Sequence, residues 1–326
     1  MKNFSVKYRD KLATAAFLVI VITGLKLSSG LIMPFIFALF LAVITMPIVH
    51  VFKKIKLPHS LSVLASLTVV MAIMIVIGQF FYSSSKALTS NLKEYYEMFL
   101  VMVANFPFFE KMQSYGISID ALKDHITPQK FVGFGVDILG FFSTFSASFF
   151  LVIIITAFML VEIETIKSKV QKLSKGDKEI PDKIINFTSS VKKYLLIKTL
   201  ISILTGAIIG LGLYLLGVPH FVLFAVIAVF LNYIPSIGSV IAAIPAILIS
   251  FIVLGPSYAV GVIILYGATN IILGSIVEPR FLGENLGIST LVVFSSLLIF
   301  GWIFGSSGML LAIPLTMIIK IAANNS

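Results

Sequence analysis

Residues 199–319 form a long stretch of the chain that is nearly free of charge. It holds only three charged side chains, Glu278, Arg280 and Glu284, and all three lie within the short sequence EPRFLGE. The rest is apolar, interrupted by small and polar residues at NYIPSIG (232–238) and GWIFGSSG (301–308). In lipid, interrupted helices are tolerated only where they are buried in protein or line a wet cavity. The pattern predicts that this region is the moving part of a membrane transporter.

The composition supports an all-α, polytopic membrane protein. Hydrophobic residues make up 59% of the 326 and charged residues 12%, against roughly 45–50% and about 25% in soluble domains. The net charge of +10 does not indicate a nucleic-acid partner, because lysines gather in the cytoplasmic loops of membrane proteins. The absence of cysteine excludes disulfides, thiol catalysis and Cys-ligated metals. We expect neither a cofactor nor a metal.

The first half of the chain contains four predicted spans, at 12–27, 31–52, 60–82 and 138–161. Lysines and an arginine flank the first two spans on their outer sides, so the N-terminus is expected in the cytoplasm. No small-residue cleavage site closes the first apolar run, which we therefore expect to be a retained span. Eight lysines between Lys167 and Lys193 place the loop after the fourth span inside, as a solvated topological anchor or as a contact for anionic lipids. Lys320 predicts a cytoplasmic C-terminus.

Between the third and fourth spans, residues 83–137 form a polar, external segment with an amphipathic helix. Apolar residues recur there at three- and four-residue steps, which is typical of a helix with one apolar face. The helix lies in the membrane interface, packs against a neighbouring subunit of a homo-oligomer, or covers the chain's own spans. The stripe consists of Leu88, Leu92, Tyr95, Phe99, Met102 and Phe106.

The C-terminal half contains an apolar run that is too long for one membrane span and too short for two. A span at 194–216 carries small residues four apart, Ser202, Gly206 and Gly210, which allow another helix to approach closely. The next run, 221–254, would be about 50 Å long as one helix, whereas a bilayer core is about 30 Å thick. Because it breaks near its middle, we predict a re-entrant hairpin that enters from outside.

A second hairpin is predicted after the span at 258–277. Two short apolar runs, 286–300 and 309–319, flank GWIFGSSG, and parity places their mouth on the cytoplasmic side. A span plus a hairpin, repeated in opposite sense, is an inverted repeat of the kind found in secondary transporters. Alternatively, each run forms one kinked span or two nearly full ones. The prediction is about six full spans plus two re-entrant hairpins, divided into 1–82, 83–137, 138–193 and a transport domain at 194–326.

Three sequences in this half carry a family resemblance. The break Asn-Tyr-x-Pro-x-x-Gly at 232–238, the phrase Glu-Pro-Arg-x-x-Gly at 278–283 and the ending Phe-Gly-x-x-Gly-Met-x-x-Ala-x-Pro at 304–314 occur in that order. Together they closely resemble the C-terminal signature of the autoinducer-2 exporter family. The resemblance implies an oligomeric permease of the bacterial inner membrane whose C-terminal half is the transport domain. It leaves the cargo open between export of a signal molecule and Na⁺/H⁺ exchange.

Candidate binding residues lie at the two breaks and at EPRFLGE. In the first break, an amide and freed backbone groups can hold a hydroxylated solute or a cation, or else the amide only caps the helix end. In the second break, two hydroxyls contribute to a site or belong to a flexible turn. Glu278 and Arg280 form a switchable ion pair or proton site, or else a pair at the cytoplasmic interface. The candidates are Asn232, Tyr233, Pro235, Ser236, Gly238, Glu278, Arg280, Ser306 and Ser307.

Other polar residues fit structural roles better. Thr269 and Asn270 predict hydrogen bonds between helices, Glu284 predicts a surface position, and His220 is not expected to bind a metal, because no second ligand lies near it. Motifs for membrane zinc or aspartyl proteases and for ATP binding are absent, so an enzyme or an ATP-driven pump is not predicted. The alternatives are a secondary transporter of a small polar solute, a Na⁺/H⁺ antiporter, and a scaffold that assembles partners.

Overall fold

The computed structural model describes residues 2–104, 149–163, 165, 168, 179–235, 237–282 and 289–324. Within these ranges every regular element is helical, as the composition predicts. We number the helices in chain order. They are α1 (Lys2–Leu27), α2 (Ser29–Lys54), α3 (His59–Ala104), α4 (Phe149–Ile163), α5 (Glu179–Leu215), α6 (Phe221–Leu231), α7 (Ile237–Leu254), α8 (Pro256–Thr269), a π-helix (Asn270–Val277), α9 (Glu278–Leu282), α10 (Thr290–Leu310) and α11 (Ala312–Asn324).

The described residues include six helical stretches that are long and apolar enough to cross a membrane. Four of them contain the spans predicted at 31–52, 60–82, 194–216 and 258–277 almost entirely. The other two, Ile237–Leu254 and Leu291–Leu310, fall in the regions predicted as hairpins, and the second is interrupted by the non-helical residue Gly305. Three shorter apolar helices accompany them. The multi-pass architecture is therefore confirmed, whereas partial entry of the hairpins into the bilayer stays a prediction.

Helix α3 is much longer than its predicted span. It continues without a break through Ser83, where the sequence predicts that the third span has ended and a separate polar segment begins, and its 46 residues extend about 69 Å. The hydroxyls in this region bond to carbonyls of their own helix, as Ser83 does to Phe80 at 3.1 Å and Thr89 does to Ser85 at 3.1 Å. Such bonds allow polar residues to remain helical where a turn would otherwise be expected.

The extension of α3 places part of the predicted amphipathic stripe against the chain's own helices. Leu88, Leu92 and Tyr95 are buried in one hydrophobic cluster with residues of α5, α6, α7 and α8. Of the three alternatives for this stripe, the structure shows the cover over the chain's own helices at these positions. Phe106 lies outside the described residues.

The chain divides into two compact units that alternate along the sequence. Unit 1 comprises Met1–Ser66, Phe149–Leu195 and Leu286–Ser326, and unit 2 comprises Leu67–Ser148 and Leu196–Asn285. In unit 1, α10 packs against α1, α2 and α11. In unit 2, α7 packs between α6 and α8 around the hydrophobic cluster.

Both interrupted runs reverse direction at a tip that contains a tightly packed glycine. In unit 2, α6 and α7 pack together, and a Cβ atom added to Gly238 would lie only 2.7 Å from the carbonyl carbon of Leu231. In unit 1, Gly305 has a left-handed φ of 68°, and a Cβ added to Gly308 would lie 2.8 Å from the carbonyl carbon of Phe300. Real Cβ atoms essentially never approach so closely. Only glycine therefore permits either reversal as it is built.

Candidate functional site

Helix α5 carries a stripe of polar side chains through otherwise apolar sequence. Lys198, Ser202 and Thr205 are four and three residues apart, a spacing that puts side chains on one face of a helix. All three are buried. Beside them, Gly206 and Gly210 lie against α6, since a Cβ on either glycine would come within 2.9 Å of Ala225. The small-residue spacing thus provides the close helix approach that the sequence predicts.

Glu278, one of the three charged residues between 199 and 319, is held in an ion pair. Lys198 Nζ donates to both carboxylate oxygens of Glu278, at 2.9 and 2.8 Å. The two side chains are only 4% and 13% exposed. The predicted pairing of Glu278 with Arg280 is wrong, since Arg280 is exposed on α9. Lys198 is not among the predicted residues, although a single lysine within the apolar sequence YLLIKTLISIL is a signal of a functional position.

The π-helix aligns Glu278 with this lysine. Along α8 and into the π-helix, the buried residues Tyr266, Thr269 and Leu273 follow at steps of three and four. An ordinary helix would bring Ile276 or Val277 to that face next, yet Ile276 is exposed. The backbone N–H of Glu278 instead donates to the carbonyl of Leu273, five residues back. The wider turn moves Glu278 onto the inner face, and π-turns are frequently found at functional sites.

The tip between α6 and α7 is attached to α5 by two side-chain hydrogen bonds. Asn232 follows the last residue of α6, and its Nδ2 donates to Ser202 Oγ at 3.0 Å. The hydroxyls of Tyr233 and Thr199 lie 2.7 Å apart. Asn232 therefore does more than cap its own helix, because its amide reaches a second helix.

Two further predicted residues of the first break shape the backbone. The carbonyl of Pro235 accepts a hydrogen bond from the backbone N–H of Ile237 at 2.6 Å. Gly238 is buried against Leu231. Ser236, also predicted, lies outside the described residues.

A small cavity lies between α5, α6, α7 and α8, and we call it the hydroxyl cavity. Its volume is about 10 Å³, room for about one water molecule or an ion of that size. Three of the residues that line it, Thr205, Ser239 and Tyr266, have buried hydroxyl oxygens without a hydrogen-bond partner in the described structure. Asn232 and Asn270 complete its polar lining with Thr269, whose hydroxyl donates to Leu265 within α8 rather than between helices.

Such a lining is costly if the cavity is empty. A buried polar group without a partner costs roughly 1–3 kcal/mol, and three such groups meet at this cavity. Thr205, Ser239 and Tyr266 are not predicted from the sequence, since single hydroxyls in apolar helices are common and only the packing brings these three residues together.

The remaining predicted residues lie elsewhere. Ser306 is exposed and Ser307 half-buried on α10, just after Gly305 in unit 1. Their membership of a common binding site stays a prediction. Glu284 lies outside the described residues. His220, in the turn between α5 and α6, is held by Tyr95, whose hydroxyl lies 2.9 Å from His220 Nε2.

The sequence is similar to known transport proteins over nearly its whole length. A family model described as "AI-2E family transporter" matches residues 15–326. The Escherichia coli (strain K12) protein TqsA, named as an AI-2 transport protein, is 36% identical over 94% of this chain and 89% of its own. A Haemophilus influenzae protein, named only as a candidate transport protein, is 32% identical over 100% of this chain and 95% of its own. Escherichia coli YhhT, also named as a candidate transport protein, is 31% identical over 94% of this chain and 88% of its own.

Proposed function

The chain belongs to the AI-2E transporter family, and from this premise we propose that it is a secondary transporter that exports a small, polar, AI-2-like solute. It is a multi-pass protein of the bacterial inner membrane. Transport by alternating access, driven by an ion gradient, is the mechanism that we propose for it. Cytoplasmic termini and a homo-oligomeric state belong to the same proposal.

The observation that carries this proposal is the buried pair of Lys198 and Glu278. Ionisable groups within membrane spans are expensive and usually mark a transport path or proton relay. A pair that served only for stability would be a poor choice, because replacing a buried ion pair with apolar residues is often neutral or stabilising. Protonation of Glu278, or a competing cation at its carboxylate, would remove the attraction to Lys198. The pair is therefore suited to be broken and remade during a transport cycle.

The tip of the first hairpin supports a neutral polar cargo. Asn232, Ser202, Tyr233 and Thr199 offer amide and hydroxyl groups but no formal charge. Groups of this kind recognise a hydroxylated solute through hydrogen bonds and discriminate strongly against an analogue that lacks the hydroxyl. A solute hydroxyl that replaced Ser202 or Thr199 as the partner of the tip would break its attachment to α5. Solute binding would then be coupled to movement of the tip relative to α5.

The two hairpins support alternating access. Both reverse at a tip where a glycine lies against the carbonyl of a residue seven or eight positions earlier, Leu231 for Gly238 and Phe300 for Gly308. Related tips in the two parts of the C-terminal half are expected of an inverted repeat, in which one repeat opens while the other closes.

Na⁺/H⁺ exchange is a second candidate, favoured by the same ion pair. A buried carboxylate that is paired with a lysine can gain a proton as the pair opens, which is the step that proton antiport requires. A scaffold without transport is disfavoured, because it gains nothing from polar groups buried within apolar helices.

Vesicle transport separates these functions. Everted membrane vesicles that contain the protein should accumulate a labelled furanosyl signal molecule, and Glu278→Gln should abolish accumulation while assembly in the membrane is unchanged. A matched control is Glu162→Gln on α4, in unit 1. A sodium-dependent proton signal without solute accumulation would favour antiport. Unchanged accumulation by the Glu278→Gln variant would contradict the role of the ion pair.

A further inference from the structure

A second cavity lies in unit 1, where α2 ends, α3 begins and α4 ends, and we call it the basic cavity. Its volume is about 50 Å³, room for about four water molecules. Helix α2 lines it with Met46, His50 and Lys53, and α3 lines it with His59. Among the described residues, no carboxylate belongs to its lining. The basic cavity shares no residue with the ion pair, the hairpin tip or the hydroxyl cavity.

The chain around this cavity is strongly basic. Three lysines and two histidines, but no acidic residue, occur in residues 50–59, HVFKKIKLPH. His59 Nε2 lies 3.0 Å from the carbonyl oxygen of Leu160, and His50 Nδ1 lies 2.7 Å from that of Met46. Because a carbonyl only accepts hydrogen bonds, these two nitrogens carry the protons of the neutral rings. Each ring becomes a cation when its other nitrogen also gains a proton, and a nearby anion favours that form.

Along α2, the lining changes from apolar to charged toward the end of the helix. Met46, His50 and Lys53 are four and three residues apart, so their side chains lie on one face of α2. From Met46 to Lys53 this face extends about 10 Å. The part of the lining that α4 contributes is apolar and consists of Leu160 and Ile163. The lining therefore suits an occupant that has one charged end and one apolar end.

Charge and size together favour a phosphate group at the charged end. A phosphate group, with its oxygens around one phosphorus, needs about the space of four water molecules. Lysine ammonium groups bind phosphate as point charges, and basic pockets between membrane helices on the cytoplasmic side bind the headgroups of anionic lipids. Free phosphate would leave the apolar part of the lining in contact with water, whereas the glycerol and acyl chains of a lipid would cover it.

We infer that the basic cavity binds the phosphate headgroup of an anionic phospholipid from the cytoplasmic leaflet. Lys53 and His50 bind the phosphate, and the apolar residues of α2 and α4 contact the glycerol and the first carbons of the acyl chains. A bound lipid would join the ends of α2, α3 and α4. The site is separate from the lysines between Lys167 and Lys193. The inference takes from the proposed function only the cytoplasmic position of these helix ends, and it is independent of the cargo.

Binding of phosphatidylglycerol to the purified full-length protein in detergent tests this site. Native mass spectrometry measures the affinity for single lipid molecules, and phosphatidylcholine, which has no net charge, should bind more weakly. We expect Lys53→Gln to weaken binding of phosphatidylglycerol about tenfold, since a hydrogen bond to a charged group is worth roughly that factor. Lys54→Gln is the matched control, because this neighbouring lysine is exposed and does not line the cavity. Equal weakening by the two variants would overturn the inference.

Thermal unfolding distinguishes a lipid from a free phosphate. Phosphatidylglycerol should raise the unfolding temperature of the unmodified protein, since a ligand that binds only the folded state stabilises it. Inorganic phosphate and glycerophosphoglycerol, which lack acyl chains, should raise it much less. The exposed His50 provides a second variant, and His50→Gln should reduce the rise that phosphatidylglycerol causes. An equal rise with inorganic phosphate, or with phosphatidylcholine, would overturn the inference. Solute export is measured separately, so either proposal can fail alone.

Discussion

Lys198 and Glu278 lie 80 residues apart in the sequence, yet their charged groups are 2.8 Å apart. The contact joins the middle of α5 to the first residue of α9. Both side chains are almost fully withdrawn from solvent, so neither charge is well stabilised without the other. Variants of this pair therefore allow its contribution to stability and its contribution to transport to be measured separately.

Removal of one partner should destabilise the protein, whereas removal of both should not. Lys198→Met leaves the carboxylate of Glu278 buried and unpaired, and we expect the free energy of unfolding to fall by about 3 kcal/mol. The double variant Lys198→Met with Glu278→Leu should recover most of this stability but not export. Thermal unfolding and vesicle transport measure the two effects. Export by the double variant would show that the pair is structural only.

The bond between Asn232 and Ser202 should couple the hairpin tip to α5. Asn232→Leu is expected to abolish export while assembly is retained, since leucine has a similar size but no donor for Ser202 Oγ. A double-mutant cycle with Asn232→Ala and Ser202→Ala should give a coupling energy of about 1 kcal/mol, as for a typical buried hydrogen bond. A coupling energy near zero would mean that the two side chains act independently.

Gly238 should tolerate no side chain. A Cβ atom there would meet the backbone of Leu231, so Gly238→Ala should force the tip open and cost about 1–3 kcal/mol of stability. Gly267→Ala on α8 is the control, because nothing lies within 4 Å of an added Cβ and alanine favours a helix by up to about 1 kcal/mol over glycine. Comparison of their unfolding temperatures checks this prediction, and equal values would contradict it.

The turn at His220 should weaken in acid. Burial lowers the pKa of His220 below its ordinary value of 6.5. As the pH falls through 6.5 the unfolded chain takes up the proton first, so the contribution of His220 is complete above that pH and is lost below it. The protection of amides at the turn against hydrogen exchange, corrected for the intrinsic exchange rate at each pH, should fall on acidification. His220→Asn should abolish this pH dependence, and asparagine tolerates the left-handed φ of 59° better than most residues.

The structural features that depend on residues close together in the sequence could be predicted from it. Composition was enough for the all-α membrane class, and the breaks at NYIPSIG and GWIFGSSG marked the two reversals because glycine permits close contacts that no other residue allows. Asn232 lies at the break as the sequence indicates, and its role in binding stays a prediction. Its partner Ser202 is predicted only as a small residue that allows close helix packing. The continuity of α3 past Ser83 was missed, since hydroxyls that bond within a helix look like a loop in the sequence.

Other features depend on long-range packing that no local pattern reveals. The apolar sequence of the π-helix gives no sign of its extra residue per turn, and without that turn Glu278 could not be assigned to the face that meets Lys198. Arg280 follows Glu278 by two residues, a spacing that puts the two side chains on different sides of a helix. The hydroxyl cavity is assembled from four separate helices and has no signal in any one of them.

Both hairpin tips are closed by residues only seven or eight positions apart, Leu231 with Gly238 and Phe300 with Gly308. Contacts of such short range need no other part of the chain in order to form. Closing a loop over so few residues costs little entropy, so we expect each reversal to form early in folding. The two reversals would then enter the bilayer as pairs of folded helices, whose backbone groups are already hydrogen-bonded.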